Sequence, residues 1–252
     1  MSFSLERFLA LYLAYVLPIG LLYVVSRRAP ATWPAPPRIV LDRPGLDLVA
    51  AVAAAVAIFL LNVAFTAGHL LPPGQGEILG KVVFLANLAI IWSPLPLVLL
   101  WRRQGLDTCL CSLRGWPRKL AWALALSILG MAVFLAVERR VGSLSLALTA
   151  LWTFDPIQAM QSLAQFLGVG FLLVRLAGVT GRAAAILVCS ALYGLVKYPY
   201  YMSYYGMSFL TATGIIAFSI LVGFAVVAIA FDRGDVLVMA VLHVFLDRIQ
   251  HA

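Results

Sequence analysis

Charge is what this chain has least of. Only 11% of its 252 residues are Asp, Glu, Lys or Arg, and the glutamates number three: Glu6, Glu77 and Glu138. Soluble domains carry about a quarter of their residues charged, so an ordinary water-soluble enzyme is excluded. Cysteine is scarce as well. Cys109, Cys111 and Cys189 are too few for a disulfide framework, and Cys109-x-Cys111 lacks the second pair that a zinc site needs. They read as ordinary reduced thiols, and no metal or cofactor is expected. The formal charge of +8 sits in short clusters between apolar runs rather than along one polar face, so nucleic acid is not an expected partner.

What remains is apolar: 63% of residues are hydrophobic and the mean hydropathy is +1.02. A hydrocarbon core of ~30 Å needs about 20 apolar residues per helix, and such runs fall near 8–25, 48–71, 82–101, 120–137, 157–174, 183–196, 207–231 and 236–249. The fold class expected is therefore all-α, a polytopic membrane bundle of about eight transmembrane helices. The sixth and eighth runs are short, with Lys197 closing one and His243 interrupting the other. Residues 1–150 hold the N-terminal helices, with a Pro-rich linker at 29–44, and 151–252 hold the remainder. The stretch Ser143–Trp152 is mildly amphipathic. Glu6 and Arg7 precede the first run and no small-residue cleavage site precedes Arg27-Arg28, so that run reads as an anchor.

Lysines and arginines set the orientation. Twelve of the 18 fall in one set of loops, among them Arg27, Arg28, Arg102, Arg103, Arg114, Arg118 and Lys119. That richer side is expected to be cytoplasmic, which with eight spans puts both termini outside. Trp92, Trp101, Trp116, Trp122 and Trp152 lie mostly near run ends, where interfacial aromatics belong.

Ionisable groups at membrane depth cost about 2.5–3.5 kcal/mol each on insertion scales, so those present have partners and often a function. Here they cluster late: Arg175, Lys197, His243 and Asp247. His243 and Asp247, four residues apart, share one helix face about 6 Å from each other.

In order and spacing these residues resemble a known family. The stretch Gly170-Phe171-Leu172-Leu173-Val174-Arg175 resembles the E-E-x-x-x-R segment of the CPBP family, the CAAX-protease and bacteriocin-processing intramembrane proteins. Ser190 to Lys197 looks like its F-x-x-x-H segment, and His243-Val244-Phe245-Leu246-Asp247 is similar to its H-x-x-x-N or H-x-x-x-D segment. The likeness covers about residues 157–250. It implies an intramembrane peptidase site in which glutamate activates water while histidine and amide groups hold the water and the oxyanion.

This chain departs from that pattern where the chemistry lies. Gly170 and Phe171 stand where the glutamate pair belongs, and Lys197 stands where a histidine belongs. No glutamate occurs anywhere in 139–252 to replace the pair. Arg175, His243 and Asp247 match. The resemblance thus implies a non-catalytic pseudoprotease in a bacterial cell membrane, one that meets lipid and binds a hydrophobic or lipidated peptide or another membrane protein. An active endopeptidase with a divergent site of His243, Asp247 and Lys197 is the alternative. A small transporter, built on a helix broken at Pro94 and Pro96, is a more distant one. The family-like reading further expects Phe171, Arg175, Tyr193, Lys197, His243 and Asp247 to converge in one pocket, with Lys197 and Asp247 as a buried ion pair.

The orientation is open to a direct check. A cysteine introduced at residue 110 is expected to escape a membrane-impermeant maleimide in intact cells and to react in inverted vesicles. Labelling in intact cells reverses the assignment.

Overall fold

The computed structural model describes residues 5–28, 39–72, 76–137, 156–195, 208–233 and 235–251. The linker residues 29–38, the stretch Ser143–Trp152 and Lys197 lie outside the described residues. Nine α-helices run through the described part: α1 (Leu5–Arg28), α2 (Pro44–Thr66), α3 (Glu77–Trp92), α4 (Pro94–Arg102), α5 (Trp116–Val137), α6 (Pro156–Thr180), α7 (Arg182–Leu195), α8 (Phe209–Arg233) and α9 (Val236–His251). A short 3-10 turn, Leu106–Cys109, sits in the connector between α4 and α5. The bundle is all-α, as the apolar runs dictate.

Five helices, α1, α2, α5, α6 and α8, are long and apolar enough to cross a membrane, and α3 with α4 makes a sixth, bent by 46°. The chain is an integral membrane protein. α7 has 14 residues and spans about 21 Å at ~1.5 Å per residue, less than the hydrocarbon thickness. The apolar part of α9, Val236–Phe245, is shorter still. The eight runs of the sequence thus become five or six full-length spans and two short apolar helices among the described residues.

The bend has a local cause. Pro94 has no N–H to give the carbonyl of Ile90, four residues back. Ser93 fills the vacancy, its hydroxyl donating to that carbonyl at 2.8 Å and its own N–H reaching it at 3.2 Å. A broken backbone in lipid is tolerated when its freed acceptors are met inside the protein.

Helix α2 has an inverted profile compared with a soluble helix. Ala50, Ala51 and Ala54 are buried, whereas Val49, Val52, Val56, Phe59, Leu60 and Val63 are exposed. Small residues let α2 approach α6 closely, and the branched and aromatic ones face lipid. The pattern recurs between α7 and α8, where a Cβ on Gly223 would lie 2.9 Å from the Tyr193 ring and one on Gly194 would strike Ile220.

α6 is the central element, packed against α2, α7, α8, α9 and the 3-10 turn. One apolar core spans both halves of the chain, with Ala10, Ala14 and Ile19 of α1, Leu126 and Met131 of α5, Leu173 of α6, Val227 of α8 and Leu242 of α9. A second, smaller cluster joins Ala51, Ala54, Leu95, Leu99, Cys109 and Phe171. Leu110 is buried in the larger core, so a labelling probe for topology belongs instead at Arg118, which is exposed in the first turn of α5.

Asn87, buried in α3, forms a two-point clamp: its Oδ1 accepts the Leu71 N–H at 3.0 Å and its Nδ2 donates to the Leu71 carbonyl at 3.0 Å. These bonds satisfy backbone outside any helix, at a level ten residues into α3. Asn87→Leu strands both groups, at about 1–3 kcal/mol each. Thermal unfolding in detergent is expected to report that loss, and an unchanged melting temperature refutes it.

Candidate functional site

Among the described residues, three polar constellations stand out beside the Asn87 clamp. The first surrounds Arg175, which has no exposed surface. Its Nη1 donates to the Thr108 carbonyl at 2.7 Å and to the Phe171 carbonyl at 3.0 Å. Its Nη2 donates to Gln104 Oε1 at 2.5 Å and to the Thr108 hydroxyl at 3.1 Å. The Phe171 ring lies against the guanidinium, 3.7 Å from centroid to Cζ, a cation–π contact in a desolvated place. Gln104 then turns its Nε2 to Asp47 Oδ1 at 3.1 Å, and Arg102 Nε meets the same oxygen at 2.7 Å. Asp47 is fully buried in the first turn of α2, behind Pro44, where a carboxylate also suits the helix dipole. The α4–α5 connector is thereby bound to α6 on one side and to α2 on the other.

The second constellation fastens the same connector to the start of α9. Lys119 Nζ lies 2.6 Å from Asp235 Oδ2 with both side chains almost wholly buried, and it donates to the Ser112 carbonyl at 2.9 Å. Asp235 Oδ1 accepts the Val238 N–H at 3.3 Å and so caps α9. The Val236 N–H donates to the Leu110 carbonyl at 2.8 Å, and Leu110 itself is held in the left-handed region at φ 57°, a conformation that persists only where its surroundings enforce it. Burial pushes the Asp235 carboxyl above its ordinary range, and Lys119 pulls it back only in part. Burial also lifts the Cys109 thiol to about 11, which removes thiolate chemistry there at neutral pH.

The third constellation lies deeper and is aromatic. His243 Nδ1 is 3.0 Å from the Tyr15 hydroxyl of α1. Phe166 of α6 approaches the imidazole edge-on at 5.6 Å and the Tyr193 ring at 6.3 Å.

The residues singled out by the family-like motifs therefore divide. Arg175 and Phe171 belong to the connector, whereas His243 and Tyr193 belong to the aromatic group. Phe166 and Arg175, which mark the two places on α6, are nine residues apart, half a turn around the helix and about 13 Å along it. Lys197 and the side chain of Asp247 lie outside the described residues. Gly170 has a packing role of its own: a Cβ there would lie 2.1 Å from the Cys109 carbonyl oxygen and 3.1 Å from Val236. Position 170 admits no side chain, and the backbone of the connector occupies the space.

Sequence reasoning missed Tyr15, Phe166, Asp47, Gln104 and the Lys119–Asp235 pair. Asp47 and Lys119 carried a usable signal, a charged residue within the first turn of an apolar helix. Tyr15 and Phe166 carried none, since aromatics abound in such spans. Comparison with family models, with curated proteins and with solved structures finds no match for the chain.

The buried Lys–Asp pair invites a mutant cycle. Removing one partner of such a pair costs about 3–5 kcal/mol because the other charge is stranded, while replacing both with apolar groups is close to neutral. Lys119→Met and Asp235→Leu are each expected to lower thermal stability in detergent sharply, and the double variant to recover most of the loss. Single variants that melt with the wild type remove the pair from the stability argument.

Proposed function

We propose that this chain is a non-catalytic, CPBP-like intramembrane protein that binds a hydrophobic or lipidated peptide, or a membrane partner, without cutting it. The observation that supports this reading is the packing at position 170. A peptidase of this kind needs a carboxylate and a water side by side on α6. The first of the two motif positions is closed by the Cys109 carbonyl, and the second holds a ring stacked on Arg175. Arg175 in turn uses three hydrogen bonds to hold the connector, which suits a structural pin better than a substrate contact. His243, paired with Tyr15 and walled by Phe166, keeps a polar group within an aromatic lining, a fit for an apolar ligand with one polar point.

The location proposed is a bacterial cell membrane with the arginine-rich end cytoplasmic. Asp47–Arg102, Lys119–Asp235, Arg182–Asp232 and the Arg233 to Ser26 hydrogen bond all gather at that end. The bend between α3 and α4 is the feature that favours the transporter reading. Among the described residues it has no counterpart in the second half of the chain, as inverted repeats require.

A fluorescent farnesylated peptide tests the proposal. Purified protein in detergent is expected to bind it saturably, to bind it more weakly as His243→Ala, and to return it intact by mass spectrometry after prolonged incubation. Cleavage by the wild type that is lost in His243→Ala overturns the non-catalytic reading, and absence of saturable binding overturns the ligand class.

A further inference from the structure

The connector between α4 and α5 borders a shallow, open recess of about 450 Å³ lined by Leu106, Asp107, Cys111, Leu113 and Arg114. Its volume falls in the ~300–1,000 Å³ range of small-molecule sites. Its chemistry is bipolar. Asp107 and Arg114 line the same space, both are exposed, and among the described residues neither is in an ion pair. Lys119 and Asp235, buried beside Cys111, already neutralise each other. Leu106 and Leu113 add exposed apolar surface at the rim. Trp101 and Trp116, 63% and 54% exposed at the helix ends on either side, mark the level of the membrane interface.

We propose that this recess seats the headgroup of a phosphatidylethanolamine molecule. The ammonium of such a lipid carries three N–H donors for the Asp107 carboxylate, its phosphate accepts from the Arg114 guanidinium, and its glycerol and upper acyl carbons lie along Leu106 and Leu113. Phosphatidylcholine has the same phosphate but a quaternary ammonium without a donor, so it forfeits the Asp107 bond. Phosphatidylglycerol has the same phosphate but neutral hydroxyls in place of the cation, so it offers Asp107 a hydrogen bond without an opposite charge and leaves the phosphate charge uncompensated within the lipid. The recess therefore selects by headgroup, unlike the general attraction of anionic lipid to basic loops such as the one carrying Arg103 and Arg118. The assignment is independent of the peptide-binding reading, which concerns the membrane interior.

Native mass spectrometry of the full chain decides it, with the protein exchanged into an equimolar mixture of phosphatidylethanolamine, phosphatidylcholine and phosphatidylglycerol of identical acyl chains. The wild type is expected to retain phosphatidylethanolamine about tenfold over phosphatidylcholine, the worth of one charge-assisted hydrogen bond. Asp107→Ala is expected to abolish that preference, and Arg114→Gln to lower the retention of both lipids severalfold while leaving their ratio unchanged, because both present the same phosphate. Both change exposed connector side chains, and unchanged melting temperatures verify that they fold. Equal retention of the three lipids by the wild type overturns the proposal. So does a preference for phosphatidylglycerol, which assigns the surface to undirected attraction by arginine, and so does a phosphatidylethanolamine preference that survives Asp107→Ala or a retention of both lipids that Arg114→Gln leaves unchanged.

Discussion

A guanidinium with no exposed surface has to find every acceptor inside the protein, and Arg175 finds nearly all of them in a single stretch of connector. Three hydrogen bonds from one side chain fix residues 104–108 against α6, and a fourth goes back to the Phe171 carbonyl of α6 itself. Once that stretch is fixed, Gln104 faces Asp47, Leu110 presents its carbonyl to Val236, and Ser112 meets Lys119. Three helices that are remote in sequence, α2, α6 and α9, are thereby tied to one short segment. No apolar contact does this alone, because dispersion has no direction and lipid competes for every methyl group.

The polar groups are segregated accordingly. Buried and partly buried ion pairs gather at one end of the bundle, where helix termini present free N–H and C=O groups and the cost of burying charge is shared with caps and dipoles. Deeper in, polarity among the described residues falls to the His243–Tyr15 contact, the Asn87 clamp and a few serines bonded back to their own helices, Ser127 and Ser190 among them. A bundle so divided has a rigid base. Its upper part is held mostly by packing of small residues and aromatic edges.

Helix positions were legible in the sequence because runs of apolar residues leave few ways to satisfy a backbone in lipid. The break at Pro94 was legible for the same reason. Arg175 and His243 were legible as groups out of place in apolar surroundings, yet their neighbours were not. Both lie on helices that pack on several sides, and a motif spaced by four residues says which face two side chains share without saying what that face meets. The expectation that Arg175 and His243 occupy one pocket rested on treating two faces of α6 as one. Gly170 shows the limit most clearly. In the sequence it was read as the place of an absent carboxylate, and in the structure it is the point where two stretches of backbone touch.

That contact at Gly170 has a historical consequence. A single nucleotide change turns a glycine codon into one for an acidic residue, yet here the new side chain would collide at its first carbon with the Cys109 carbonyl. Any route that installs a carboxylate at 170 has to pass first through changes that withdraw the connector, and those changes loosen Arg175, the Leu110 carbonyl and the Lys119 pair together. The order of steps is constrained, and the intermediate steps carry a cost with no gain. Packing of this kind acts as a ratchet, so that descendants of this chain are free to vary at lipid-facing positions long before they are free to carry an acidic side chain at this one.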